Sequence, residues 1–458
     1  MELSPINVKG LVSRPRTFQG GGYLPIGAPS MDDALMAIAC PERLVVPLGP
    51  RAETTGELIV RPGAEVSEEA LLARSRDGAP CVHAPRAGRL TGMKTVSTAD
   101  GNRIEAVEIH TDPDADHRHP SFTPSSSLND VDPCNIDDLA DTADRAGIVV
   151  SNGESLGSQL RRAATSDTDH VIINGLSHEP ILTAPHAILK TAIEAVAAAG
   201  LWIRTALNAR RLWLAIDRRD KELASRCKQY AAGTPLRIAE LHNKYPQAHP
   251  ILLAFAITNR SCPIGGTTED IRTLVLDIEA AEALAAMVCS KHPVTDCTLT
   301  IAGPAITRPG HYRVPVGTTV AHLLQQVGLS AEPTRLIGGG LLTGVGIIEP
   351  EAVITQQTRA ILALDERHDR LPRPGPCIHC GWCQESCPVG LDPSALLDAW
   401  ERKDHKRART LFSQACLSCG LCSYVCPSEL PLAEAATGTK AWMQQTANLG
   451  RPNEIGMT

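Results

Sequence analysis

At 458 residues the chain has room for about three domains of ~150 residues each, and its 43% hydrophobic and 21% charged residues are a globular composition that excludes a disordered chain. Lys and Arg number 44 against 51 Asp and Glu, so the net charge is −7 and nothing general about the surface favours nucleic acid or anionic lipid. No apolar stretch reaches ~18 residues, the best (around 192–207) being broken by Glu194 and Arg204, so no membrane-spanning helix is expected.

The first ten residues lack the apolar core and cleavage site of a secretion signal, which points to the cytoplasm. Residues 44–111 show short apolar alternations broken by Gly and Pro turns. Arg61-Pro62-Gly63 and Ala84-Pro85-Arg86-Ala87-Gly88 read as hairpin corners of a small β-sandwich or barrel within a first domain, 1–111. Residues 112–133 are rich in Asp, His, Pro and Ser and read as a linker, His117 and His119 included.

From 134 to 290 apolar strands alternate with helices, as in an α/β domain. Gly147-Ile148-Val149-Val150, Val171-Ile172-Ile173 and the run 212–216 are continuous and apolar, as buried parallel strands are. An Ala-rich helix is predicted over 185–199, with Pro185 at its start and Gly200 just past its end. Residues 291–365 form a compact α+β module, with strands near 298–301, 312–314 and 336–337 and a helix over 320–327. A Pro- and Gly-rich linker, 366–376, leads to a helical cysteine domain, 377–440, and a tail, 441–458.

Eight of the fifteen cysteines lie in two copies of C-x2-C-x2-C-x3-C-P. Cys377, Cys380, Cys383 and Cys387 precede Pro388, and Cys416, Cys419, Cys422 and Cys426 precede Pro427. This is the bacterial ferredoxin run for [4Fe–4S] clusters. Three thiolates two residues apart can wrap a loop around one cubane and hold three irons, and the fourth iron takes its ligand from the other run. On that model Cys377, Cys380, Cys383 and Cys426 hold one cluster, and Cys416, Cys419, Cys422 and Cys387 the second. A pair of zinc sites is the alternative, but zinc ribbons pair their cysteines and do not end each quartet in Cys-Pro.

Trp382, Trp400, Phe412 and Tyr424 fall in or between the runs, where they would exclude water from the clusters or simply pack helices. The stretch 394–412 is helical in character, with Leu396, Leu397, Trp400 and Ala408 on one face and a charged run on the other. That run reads as a solvated face or as a docking surface. The seven remaining cysteines are scattered without ligand spacing and are expected to be mostly small buried residues.

The order of these pieces resembles the C subunit of the Rnf electron-transport complex over roughly residues 18–427. Local matches include Phe18-Gln19-Gly20-Gly21, Asn174-Gly175, Glu179-Pro180, Lys244-Tyr245-Pro246-Gln247 and the run 300–317. The resemblance implies a lipoyl-like sandwich without a lipoylation lysine, an α/β domain for FMN and NADH, and a soluble-ligand-binding (SLBB-like) β-grasp module. It implies a peripheral electron-transfer subunit on the cytoplasmic face of the cell membrane. There electrons pass singly through two clusters to other subunits of an ion-translocating oxidoreductase, with a small carrier such as ferredoxin as a further partner.

Three loops depart from the family pattern. Where it has a Gly-rich flavin loop followed by lysine, this chain has Ser151-Asn152-Gly153-Glu154-Ser155-Leu156-Gly157, then Arg161, so that only Gly153 clearly survives. Glycines there let backbone N–H groups approach phosphate, and Glu154 adds a negative charge instead. The family's Glu-Cys-Glu-Pro is Ser177-His178-Glu179-Pro180, and after Gln247 its Gly-Gly-Glu-Lys is Ala248-His249-Pro250-Ile251. Gly153, Glu179 and Lys244 are therefore read as the remnant of a flavin and NADH site, and the expectation is a relay that has lost or replaced its hydride acceptor.

Other classes remain open on the sequence. One is a soluble flavin and iron–sulfur reductase of the cobalamin-reductase type, and another a non-redox scaffold with structural clusters. A third is a hydrolase, since Gly153 to Gly157 satisfies G-x-S-x-G, with Ser155 as nucleophile and His249 or His311 as base, though no HGGG-type loop precedes it.

Overall fold

The computed structural model describes residues 17–25, 34–76, 79–112, 135–242 and 244–449. The opening residues, the expected linker with His117 and His119, and Cys134 lie outside the described residues.

The N-terminal strands are β1 (Leu35–Ala37), β2 (Arg43–Pro47), β3 (Glu57–Leu58), β4 (Glu65–Val66), β5 (Leu71–Arg74), β6 (Val82–His83), β7 (Gly88–Ser97) and β8 (Arg103–Thr111). Strands β2 to β8 form two sheets, ordered β2-β8-β7-β4 and β3-β5-β6, with antiparallel pairing throughout. Leu44, Val46, Leu72, Leu90, Val107 and Ile109 fill the space between them. The period-2 pattern predicted this sandwich. It did not predict that β2 is buried on both sides: Val45 and Ala106, on the opposite face, pack on Val353 far along the chain.

The α/β region begins with α1 (Ile136–Ala146) and α2 (Leu156–Thr165). The side chain of Asn135 caps α1 by accepting from Asp137 N–H. Then follow β9 (His170–Asn174), α3 (Ala184–Ala206), β10 (Arg211–Asp217), α4 (Lys221–Ala231), β11 (Leu236–Leu241), α5 (Pro250–Thr258), β12 (Thr273–Asp277) and α6 (Ile278–Ser290). The four strands are parallel, in the order β11-β10-β9-β12. The order reverses between β9 and β12, and that crevice is where open α/β sheets bind ligands.

Two expectations are corrected here. Gly147 to Val150 is buried but joins no sheet: Leu156 N–H donates to Ile148 O at 3.0 Å and Val150 N–H to Glu154 O at 2.9 Å, so the segment turns back on its own loop. Gly200 lies inside α3 and does not end it. A Cβ on Gly200 would stand 2.6 Å from Ile173 Cδ1, so this glycine lets the helix lie close on the sheet. By length and composition α3 is apolar enough to cross a membrane, contrary to the reading of its sequence, because Glu194 and Arg204 are too few to break it; 67% of its apolar window is buried inside the protein.

The next region holds β13 (Asp296–Ala302), β14 (Gly310–Pro315), α7 (Val320–Val327), β15 (Arg335–Gly338), β16 (Val345–Ile347) and β17 (Ala360–Leu364). With β1 these strands make one sheet, ordered β1-β14-β13-β17-β15-β16. The C-terminal helices are α8 (Trp382–Ser386), α9 (Pro393–Glu401), α10 (His405–Thr410), α11 (Leu421–Tyr424) and α12 (Leu432–Leu449). Leu396, Leu397 and Ala408 are buried, as their spacing predicted. The segment 441–449, expected as part of a tail, continues α12, and Trp442 stacks on Trp400 at 4.6 Å.

Candidate functional site

The two cysteine runs fold alike. In each, the residue before the second cysteine (His379, Ser418) and the glycine after it (Gly381, Gly420) have positive φ, between 54° and 79°. The glycines begin α8 and α11, so the third cysteine of each run sits on the first turn of a short helix. This left-handed bend wraps the backbone around an inner space. Its N–H groups also reach sulfur: Ser418 N–H donates to Cys416 Sγ and Leu391 N–H to Cys387 Sγ, both at 3.3 Å.

One inner cavity is lined by Cys377, Cys380, Cys383 and Cys426. The other is lined by Cys387, Cys416, Cys419 and Cys422. Each cavity thus takes three thiols from one run and the fourth from the other. Among the described residues no group of three or more His, Cys, Asp or Glu side chains converges as a single metal ion requires. Tetrahedral zinc, with bonds of about 2.3 Å, holds its sulfurs roughly 3.8 Å apart. Thiols that ring a cavity fit a polynuclear cluster, and the donor set of four cysteines is the right one for [4Fe–4S].

The two cavities differ in surroundings. Cys377 and Cys380 are exposed, with Ile378 and Trp382 exposed beside them. The second cavity faces the body of the protein. Tyr245 Oη donates to Cys419 O, Gly21 N–H donates to Ser386 O at 2.8 Å, and a Cβ on Gly420 would stand 2.3 Å from Leu342 O. Lys440 Nζ donates to Cys416 O at 2.7 Å. Burial pushes the free Cys419 and Cys422 thiols up, to about 11 and about 12, so cluster assembly at this end must displace protons. Of the four rings expected to shield the clusters, Trp382, Phe412 and Tyr424 are exposed, and Trp400 packs against Trp442. Trp400 packs helices together and borders the same apolar cluster as Cys383, Cys422 and Cys426.

The flavin remnant is not one site. Glu179 and Lys244 line a cavity of about 300 Å³ beyond the ends of β9, β10 and β11, and Gly153 does not. The Glu179 carboxylate is buried and turned away, accepting from Leu342 N–H at 2.9 Å, Thr343 N–H at 3.0 Å and Thr343 Oγ1. Lys244 Nζ donates to Phe18 O at 2.9 Å and lies 4.8 Å from the Phe18 ring centroid, and burial lowers its pKa.

At the β9–β12 crevice the loop 150–158 turns most of its backbone donors onto the protein itself. Ser151 N–H donates to Asp277 Oδ2 at 2.7 Å, Gly153 N–H to Val150 O at 2.8 Å, Glu154 N–H to Asn152 Oδ1 at 3.0 Å and Ser158 N–H to Ser155 Oγ at 3.0 Å. Arg51 donates to Asn152 O, and Glu154 pairs with Arg162. A flavin phosphate would have to displace the Asp277 carboxylate, which Arg359 also contacts at 3.6 Å. The residues present do not fit the phosphate of FMN. The sequence could not flag Asp277, which stands between a strand and a helix where a capping aspartate would be read, yet its side chain makes no capping bond and accepts from Ser151 N–H instead.

The hydrolase reading fails on the same geometry. Ser155 is buried and caps α2, its hydroxyl bound to Ser158. His249 caps α5, and His311 lies between Thr183 and Thr300, so both candidate bases are engaged away from Ser155. The scattered cysteines also differ from expectation: Cys81 and Cys227 are buried, Cys40, Cys262 and Cys297 half-buried, and Cys289 exposed.

The fold and the cysteine runs define an iron–sulfur electron-transport protein. Residues 376–430 match the 4Fe-4S dicluster domain, residues 16–114 the RnfC barrel sandwich hybrid domain, and residues 144–286 the Nuo51 FMN-binding domain. The chain is a homologue of the C subunits of Rnf-type ion-translocating oxidoreductases. It is 27% identical over 397 residues to the C subunit of the Na(+)-translocating ferredoxin:NAD(+) oxidoreductase complex of Acetobacterium woodii, covering 84% of this chain and 88% of that one. It is 29% identical over 363 residues to the C subunit of the ion-translocating oxidoreductase complex of Rhodobacter capsulatus, covering 78% and 69%. An NAD+-reducing [NiFe]-hydrogenase structure aligns with a TM-score of 0.47 and 14% identity over 70% of this chain and 68% of that one.

Proposed function

We propose that this chain is a peripheral electron-transfer subunit on the cytoplasmic face of a membrane-bound, Rnf-type ion-translocating oxidoreductase. Cys377, Cys380, Cys383 and Cys426 hold one [4Fe–4S] cluster, and Cys416, Cys419, Cys422 and Cys387 the other. When bound, such clusters take up and release single electrons. The chain's own part is to fix the thiolates, to donate N–H groups to Cys387 and Cys416, and to keep water from the second cavity. The observation that carries this reading is the exchange of the fourth cysteine between the two cavities. Loop 150–158, closed on Asp277 and Arg51, supports a relay that does not hold FMN or take hydride from NADH there. We read the N-terminal sandwich as lipoyl-like and the 291–365 region as an SLBB-type β-grasp module. The partners are other subunits of the complex, with a small redox carrier such as ferredoxin at one end.

Anaerobic purification tests this. About eight iron and eight acid-labile sulfide per chain are expected, as two four-iron clusters require. Two reduced-state paramagnetic resonance signals and no flavin should accompany them. Zinc in place of iron, or clusters that dithionite does not bleach, would overturn the relay. Stoichiometric flavin with NADH bleaching would establish the reductase instead.

A further inference from the structure

Segment 402–409 concentrates positive charge in a chain of net charge −7, with Arg402, Lys403, His405, Lys406, Arg407 and Arg409 against Asp404. Every residue from 401 to 410 except Ala408 is exposed. Little of this charge is neutralised locally. Asp398 accepts from Arg402 Nε at 2.7 Å and lies 3.7 Å from Arg407, while Asp404 caps α10 through Arg407 N–H at 2.9 Å. Lys403, Lys406 and Arg409 have no carboxylate partner among the described residues.

The face is held firmly. Ala408 is buried beneath it, and the His405 ring lies 4.3 Å from Trp442, which stacks on Trp400. Phe412, 54% exposed and at φ 55°, follows the Leu411 C-cap of the helix, and a 3-10 turn (Ser413–Ala415) leads straight into Cys416. Ser413 is buried and donates to Thr439 O at 3.3 Å, which anchors that turn to α12. Lys440 adds a further cation at the Cys416 carbonyl.

We propose that α10 and Phe412 form the docking surface for an acidic electron-transfer protein, which exchanges electrons with the cluster at Cys416, Cys419, Cys422 and Cys387. The proposal rests on the relay reading above. One electron leaves one centre and arrives at the other, so one is oxidised as the other is reduced, and no bond forms or breaks. The basic rim steers an acidic partner into encounter, and Phe412 supplies the apolar anchor that protein interfaces place among charges. An anionic bilayer needs only a basic run and no fixed geometry. A helix held by a ring contact at His405 and joined by one short turn to a cluster thiol favours the protein.

The test is stopped-flow electron exchange between the anaerobic full-length holoprotein and an acidic two-cluster ferredoxin, with basic cytochrome c as the control. Wild-type exchange with ferredoxin should slow steeply from about 0.01 M to about 1 M ionic strength, as the Debye length shrinks from ~30 Å to ~3 Å. The triple variant Lys403→Glu, Lys406→Glu, Arg409→Glu should exchange about tenfold more slowly at low salt, while its iron content and resonance signals stay unchanged. Phe412→Ala should slow exchange at every salt concentration. Equal rates for wild type and triple variant would overturn the proposal. So would loss of binding to phosphatidylglycerol vesicles with the exchange rate untouched, which would make the surface a membrane contact. If wild type itself carries no reducible clusters, the relay reading fails; if its clusters reduce normally and exchange ignores these residues, only the docking surface does.

Discussion

The Tyr245 hydroxyl, at the end of the α/β sheet, donates a hydrogen bond to the carbonyl of Cys419, 174 positions further along the chain. Tyr245 is buried, and Cys419 is the second of the four cysteines in the second run and lines the second cavity. The bond therefore couples the sheet to one cluster and not to the other.

Tyr245→Phe removes a donor whose dipole favours extra negative charge at the second cavity. Reduction adds that charge, so the variant should make the second cluster harder to reduce. A hydrogen bond worth ~1 kcal/mol corresponds to on the order of 40 mV in a one-electron couple. Potentiometric titration followed by paramagnetic resonance should find one potential lowered by tens of millivolts and the other unmoved. Equal shifts in both would show that the effect is not local.

The Glu179 carboxylate receives two backbone N–H groups and one hydroxyl from residues 342 and 343. Glu179→Ala removes the acceptor of three hydrogen bonds whose donors, on half-buried Leu342 and exposed Thr343, can turn to water, so the loss is about 1 kcal/mol per bond. The expected result is a large fall in the unfolding midpoint with the flavin content unchanged from wild type. A variant as stable as wild type would contradict this structural role.

Parts of this architecture were readable because they rest on local rules. The cysteine spacing dictates its own loop geometry, and the apolar periods of the sandwich strands and of α9 report which side faces inward. What was not readable depends on distant neighbours. Gly200 looks like a helix end until Ile173 is known to lie beneath it. Gly147 to Val150 has the composition of a buried strand, but its hydrogen bonds go to its own loop. Glu179 and Lys244 match a family motif by identity, while their partners, Thr343 and Phe18, lie 164 and 226 positions away. Loss of the loop glycines suggested a flavin site lost or replaced, and the bonds that Asp277 and Arg51 make to the loop could not be read from the sequence.

Two histidines set a pH limit on stability. Removal from water lowers His83 to about 4, and the same cause, reinforced by Lys440 and His178, lowers His249 to about 4. Their folded values lie below the unfolded value of about 6.5, so the unfolded chain binds more protons as pH falls. Stability should be complete above about pH 6.5, fall through the window from 6.5 to 4, and level off below it for these two groups. The loss is on the order of 3 kcal/mol per histidine. Urea unfolding of the cluster-free chain at several pH values would measure it. His249→Asn, which can keep the helix cap, should flatten the dependence, and an unchanged slope would remove His249 from the account.

The sharpest consequence of the exchanged cysteines is that damage should cross between runs. Cys387 belongs to the first run by sequence but lines the cavity of the second, beside Cys416, Cys419 and Cys422. Cys387→Ser should therefore perturb the second cluster, and Cys426→Ser the first, whose cavity holds Cys377, Cys380 and Cys383. Removing one of four thiolates frees one iron corner, and a three-iron species with a distinct oxidised-state resonance signal is the expected product. The first cavity opens at Cys377 and Cys380, which are exposed, so its cluster should also be the quicker to bleach in air. Combining Cys387→Ser with Tyr245→Phe identifies the damaged cluster directly. If the two substitutions act on the same resonance signal, the thiols are exchanged between runs; if they act on different signals, each run holds its own cluster.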